Sequence, residues 1–413
     1  MRSYLDILRL PGALKFCAAA LLARCGGAMM GLGQLLMVRL VYGPGCYGWA
    51  GAVAAANALA WAVGTAFLAP LVDRHGQRRV MYPAYLVSVA FLAWLIVLAV
   101  ARAPVWTLLP VTVVSGLCSG SPGALVRARW HHVTANARQL HTAYSLESTL
   151  DELTFVVGPV AATVLATQVH PAAGLVAPII LGLAGAHFFY GQRATEPPLA
   201  PRPPARSRED RRPWSERLIL FLPGVAPVVA TNVLIGGFFG AVDVSVVATT
   251  DAWGALGASG PVLAVFSVGS AVAGFVYGAR AWRSPLVNRF AVLVTAALVT
   301  SCGLLVADGV WALALAGLLM GGTVAPSLIN GNALLTRLVP QGRLTEGLAW
   351  MATSLGVGVS IGSSTAGRAI DWMGHVGGLR VAVACAGLAA LIAWAVRRPL
   401  GRALAARAGG GDD

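Results

Sequence analysis

Three acids fall close together in one stretch flanked by apolar residues, Tyr144-Ser145-Leu146-Glu147-Ser148-Thr149-Leu150-Asp151-Glu152-Leu153. On a helix, Glu147 and Asp151 stand one turn apart and share a face, whereas Glu152 is rotated by about 100° from Asp151. Such carboxylates can hold a cation or exchange protons. A second acid, Asp243, closes the run Gly236-Gly237-Phe238-Phe239-Gly240-Ala241-Val242-Asp243, and one basic residue, Arg24, lies inside an apolar run near the start of the chain. An ionisable group at the centre of a bilayer costs at least about 2.5–3.5 kcal/mol, so each needs a partner or a water-filled cavity. Asn57, Asn232, Asn330 and Asn332 are lesser candidates to bind a ligand; buried amides more commonly bridge helices.

The elements that carry these residues follow from composition. The chain has 413 residues, 57% hydrophobic and only 11% charged, where a soluble domain has about 25% charged residues. A water-soluble fold is thereby excluded. The glycines sit within apolar runs, with neither a collagen repeat nor a polar low-complexity tract. A spanning helix needs roughly 20 mostly apolar residues, because lipid offers no partner to an unpaired backbone group. Twelve such stretches are expected, at 14–38, 47–71, 80–101, 105–126, 141–166, 172–191, 218–248, 257–279, 286–306, 310–335, 344–369 and 378–396. On that register Asp151, Glu152 and Arg24 each lie about ten residues in, roughly 15 Å deep. Glu147 lies near one end, where it can snorkel.

Of the 30 Lys and Arg residues, 25 fall at the termini and in alternate loops, four in the opposite loops, and Arg24 within a span. That asymmetry places both termini of a multi-pass protein in the cytoplasm, and the cell (inner or plasma) membrane is its expected location. The net charge of +14 is thus a matter of topology, and no nucleic-acid partner is expected. Residues 193–217 are proline-rich and mixed in charge, a linker between halves 1–192 and 218–397, with a cytoplasmic tail at 398–413. Gly116-x-x-x-Gly120 and Gly317-x-x-x-Gly321 sit at equivalent places in the two halves, as parallel repeats would. The six cysteines show no Cys-x-x-Cys pair, so neither disulfides nor a metal site is expected. No phosphate-binding Gly-x-x-x-x-Gly-Lys-Ser/Thr loop occurs, and no cofactor or enzyme activity is expected.

The loop Ala69-Pro70-Leu71-Val72-Asp73-Arg74-His75-Gly76-Gln77-Arg78-Arg79 resembles the signature loop of the major facilitator superfamily, Gly-x-Leu-x-Asp-Arg-x-Gly-Arg-Arg/Lys. It departs from that pattern at Ala69 and Gln77. The resemblance implies an all-α polytopic fold of twelve transmembrane helices in two pseudo-symmetric six-helix halves. It further implies a conformational latch built from Asp73, Arg74, Gly76, Arg78 and Arg79. Gly158-Pro159 is similar to the helix-five motif of the proton-driven drug-exporter branch, although Thr154 stands where that branch has glycine. The branch's helix-four arginine is not found between Thr107 and Gly123. In the superfamily fold helices one and five are neighbours, so Arg24 is expected to pair Asp151 or Glu152, leaving the other to carry a proton. The alternative is a permanent ion-pair network that holds helices together. Helix seven lines the cavity of that fold, where Gly236, Gly237 and Gly240 are expected to let a substrate approach backbone and Asp243 suits a cationic substrate. The resulting expectation is a monomeric secondary transporter exporting a small cationic or amphipathic compound against protons. Its competitors are uptake or facilitated diffusion of a polar metabolite, and a non-transporting receptor.

Overall fold

The computed structural model describes residues 2–199, 222, 224–280, 282–340 and 343–409. Most of the linker 193–217, from residue 200 on, lies outside the described residues, as does the end of the tail. Among the described residues twelve long helical segments follow one another: α1 Ala13–Tyr42, α2 Tyr47–His75, α3 Gln77–Val100, α4 Val105–Val133, α5 Ala137–Val169, α6 Ala173–Gly191, α7 Val225–Ala252, α8 Leu256–Ala279, α9 Leu286–Leu305, α10 Val310–Leu338, α11 Leu344–Met373 and α12 His375–Ala395. Eleven are long and apolar enough to cross a bilayer. The remaining one, α11, has 30 residues, but Gly, Ser, Glu346, Arg368 and Asp371 dilute its apolar character. Two short helices, Arg2–Leu8 and Arg397–Gly409, flank the bundle, and neither is signalled by a spanning pattern. All six cysteines are free.

The chain divides into two compact units, Met1–Arg202 with Gly257–Ala264, and Pro203–Leu256 with Val265–Asp413. In the first, α1 packs mainly on α6 and α5, while α2 and α3 pack on α4; in the second, α7 packs on α11 and α12, and α9 on α10. These are matching pairings. The repeat also shows in glycine contacts: a Cβ on Gly64 or Gly116 would strike α4 or α2 backbone at 2.1 and 2.9 Å, and one on Gly269 or Gly321 would strike α10 or α8 backbone at 2.3 and 2.1 Å. Each half thus brings its second and fourth helices together through glycines. Gly120 has another use, because its φ of 65° turns the chain.

That turn corrects the expected end of the fourth span. Helix α4 is broken: Leu108–Ser119 stops at Gly120, and Pro122–Val133 resumes it with proline in its first turn, where the missing N–H is not needed. Residues 127–133 are thus helical, and Arg127 and Arg129 belong to α4 instead of a loop. A second correction concerns Gly236, Gly240, Gly358 and Gly362. A Cβ on any of them would come within 1.9–2.2 Å of a backbone oxygen across the α7–α11 seam. These glycines let two helices meet backbone to backbone, and Gly236 and Gly240 do not open space for substrate.

Candidate functional site

Helix α5 is started by Asn136, whose side chain accepts from the Gln139 amide at 2.9 Å, while the Gln139 side chain accepts from Ala135 N–H at 2.9 Å. This reciprocal cap fixes the register of the acids that follow. Further along, Gly158 lies against Ala28 of α1, with only 2.8 Å to the Ala28 Cβ from a Cβ built on the glycine. The Gly158-Pro159 pair therefore lets α5 approach α1 closely, just beyond the acid cluster.

Two of the three acids are neutralised. Glu147 is fully buried, so the snorkelling expectation fails. Its Oε2 pairs with Arg24 Nη2 at 2.5 Å, and its Oε1 accepts from Trp130 Nε1 at 2.6 Å and from the Cys17 thiol at 3.4 Å. Asp151 lies one turn on and bridges two guanidinium groups: Arg24 Nη1 reaches Oδ1 at 2.8 Å and Arg127 Nη2 reaches Oδ2 at 2.7 Å. Arg24 also donates from Nε to the Ala20 carbonyl at 3.3 Å, and Arg127 from Nη1 to the Gly123 carbonyl at 3.1 Å. Two cations thus face two carboxylates, and the cluster is neutral. Glu152 is left over. It is exposed and, among the described residues, has no hydrogen bond or ion pair. Arg24 therefore pairs Asp151, as one of the two expected arrangements had it, with Arg127 supplying a cation that the span boundaries had hidden.

Arg24, Arg127 and Asp151 stand on the wall of a cavity of about 430 Å³ inside the first unit. Helices α1 to α5 all contribute to it, with Asn57, Trp61, Tyr85 and Phe155 among the lining residues. Asn57 is half-buried and makes no hydrogen bond among the described residues. The break in α4 opens onto the same cavity at Gly120, Ser121, Pro122 and Gly123. There Trp61 Nε1 donates to the Gly120 carbonyl at 2.7 Å, satisfying an acceptor that the interrupted helix leaves free.

The residues of the expected latch lie around the turn between α2 and α3. Gly76 alone separates α2 from α3, at φ 91°, a left-handed conformation that glycine adopts without strain. Asp73 is exposed and makes no ion pair among the described residues, with Arg74, Arg78 or Arg79 included. The carboxylate at the start of α3 is instead that of Glu196, which accepts from Arg78 N–H at 3.0 Å, where a helix N-terminus favours negative charge. Beside it Arg129 is wholly buried. Its Nε donates to Gln77 Oε1 at 2.9 Å, its Nη1 to the Gln192 carbonyl and Thr195 Oγ1 at 3.1 Å each, and its guanidinium lies 3.8 Å above the Phe189 ring. Sequence reasoning missed Arg129 and Glu196, having counted one as a topology signal and placed the other in the linker.

In the second unit, Asp243 is exposed on α7 although its neighbours from Gly240 to Thr250 are buried, and it has no partner among the described residues. Asn232 donates to the Met351 carbonyl at 2.7 Å and to Ser354 Oγ at 2.8 Å. Asn330 donates to Tyr277 OH and the Pro326 carbonyl, each at 2.7 Å. Both amides bridge helices or turns. Glu346 pairs with Arg343 at 2.9 Å.

With this geometry in view, comparison with known proteins decides the family. The family model described as Major Facilitator Superfamily matches residues 16–281. The chain belongs to the major facilitator superfamily. Solved structures agree on the fold of this superfamily member. The nucleoside transporter NupG (a point mutant) is 13% identical with a TM-score of 0.71, covering 94% of this chain and 99% of its own. An auto-inhibited peptide transporter of the POT family is also 13% identical, at TM-score 0.69 over 94% and 96%. A bacterial homologue of the human lysosomal transporter Spinster is 12% identical, at TM-score 0.70 over 97% and 98%. No curated protein matches this superfamily member. It is a non-enzymatic, multi-pass secondary transporter of small molecules.

Proposed function

We propose that this transporter couples movement of its substrate to protons, with Glu152 as the carboxylate that takes up and releases them. One observation carries the reading. Of the three acids at the middle of α5, Glu147 and Asp151 are matched by Arg24 and Arg127, whereas Glu152 has no partner among the described residues. An unpaired acid at membrane depth is tolerable where it reaches water or becomes neutral. Ser145, Ser148 and Glu152 recur at helical spacing on one stripe of α5, which suits a hydrated path better than lipid. Efflux against proton entry is the direction we favour, given the Gly158-Pro159 pair and its similarity to the exporter branch. The arginine asymmetry supports cytoplasmic termini, and the cell membrane is the location we propose.

The test is reconstitution in liposomes under an imposed pH gradient, with internal pH recorded as candidate substrates are added. Glu152→Gln is expected to abolish substrate-triggered proton movement and to leave folded protein at the wild-type level. Proton movement that persists in this variant would refute the assignment. A second reading rests on Asp243, whose carboxylate in α7, without a partner among the described residues, supports contact with a cationic group. Asp243→Asn would then weaken cationic substrates selectively and leave uncharged ones alone.

A further inference from the structure

We propose that the cavity of the first unit binds the acidic group of an amphipathic organic anion, a carboxylate or sulfonate, across Arg24 and Arg127 in place of Asp151. The inference goes beyond the proton-coupling reading and does not depend on it. Its ground is the geometry around Asp151, whose two oxygens each receive one guanidinium, from different helices, at 2.8 and 2.7 Å. Two arginines held on opposite sides of one carboxylate form a carboxylate site, and Asp151 is its tethered occupant. The site is reachable, because both Arg127 and Asp151 lie on the cavity wall with 36% and 28% of their side chains exposed.

Glu147 differs from Asp151 in this respect. It is sealed from the cavity and held by Arg24, Trp130 and Cys17, so it stays as the permanent counter-charge of Arg24. Once Asp151 turns aside or takes a proton, the remaining charges on Arg24, Arg127 and Glu147 sum to one positive. A single anion restores neutrality. The broken helix adds to this preference. The first turn of Pro122–Val133 opens on the cavity at Ser121 and Gly123, and Ser121 makes no side-chain capping bond, so amide dipoles there also favour negative charge. The rest of the wall (Trp61, Val89, Leu92 and Phe155 among it) is apolar or aromatic and suits an organic body. A volume of about 430 Å³ lies in the range of small-molecule pockets.

Equilibrium dialysis of labelled benzenesulfonate against the purified full chain in detergent tests this at one fixed pH with no gradient. Anion binding and proton movement therefore stand or fall separately. Saturable binding is expected, with uncharged benzenesulfonamide unable to displace the label. Arg127→Gln should weaken binding by about tenfold or more, the effect of a lost charge-assisted contact. Asp151→Asn, which removes the competing carboxylate charge, should strengthen binding by about tenfold. Helical content and monodispersity of both variants establish that they are folded. The proposal is overturned if benzenesulfonamide competes as well as benzenesulfonate, or if folded Asp151→Asn binds more weakly than wild type. It is equally overturned if neither wild type nor Asp151→Asn binds the probe, or if inorganic sulfate displaces the label as effectively as benzenesulfonate, since an apolar body would then be irrelevant.

Discussion

At the scale of single residues, Glu147 and Glu152 show how five positions along one helix separate a structural charge from a functional one. Glu147 holds three bonds in a site without exposure. Its replacement by Gln leaves a buried guanidinium with reduced compensation, a change that costs about 3–5 kcal/mol when one partner of a buried pair is removed. Thermal unfolding in detergent should show Glu147→Gln as the least stable of the three acid variants, with Glu152→Gln close to wild type. Equal melting of the two would show that the Arg24–Glu147 pair contributes nothing. The presence of the acids at membrane depth was legible in the sequence, since charges are scarce in the apolar runs. Their allocation was not. Which acid meets Arg24 depends on the azimuth of α1 against α5 and on Arg127, and no spacing within one helix reports either.

Among elements, α4 accounts for most of what sequence reasoning lost. A hydropathy reading ends the fourth span where basic residues begin, so Arg127 and Arg129 were assigned to a loop. The chain instead turns at Gly120 and continues as helix, so that Arg127 meets Asp151 of α5 at the cavity wall and Arg129 enters a buried site against Phe189 of α6. Gly120 is the residue on which that turn depends. Its φ of 65° disfavours any side chain by about 1–2 kcal/mol, and a Cβ there would also press on the Met81 side chain. Gly120→Ala should lower the melting temperature modestly. The α7–α11 seam gives a sharper case. At Gly362 a Cβ meets the Gly237 backbone, which cannot move aside as a flexible side chain can. Gly362→Ala is expected to cost about 1–3 kcal/mol by overpacking, with no rescue from side-chain truncation on α7. The wealth of glycine in α7 and α11 was plain from the sequence, but its use was not, since close helix approach and a substrate cavity call for the same residue.

For the whole molecule, the twelve-helix count was readable because two independent signals had to agree. Apolar length gave the spans, and alternation of arginine gave the sides; one missed helix would have exchanged the sides of every loop after it. Helix boundaries in the structure differ from those readings by a few residues, the largest differences being at the end of α4 (133 against 126) and the start of α7 (225 against 218). Removing Arg127 and Arg129 from the loop count leaves the imbalance intact, so the orientation argument survives the correction to α4. It makes a topological prediction. A reporter that is active only in the cytoplasm should work when fused within 193–217 or after Arg402. One that is active only after export should work at Asp308, between α9 and α10. The reverse pattern would invert the orientation and overturn cytoplasmic termini. Activity of the exported reporter at both Asp308 and the tail would show that α11 and α12 together cross the bilayer an odd number of times. The fusion at the tail is the discriminating one, because α11 is the segment in which length alone, without sustained apolar character, argues for a crossing.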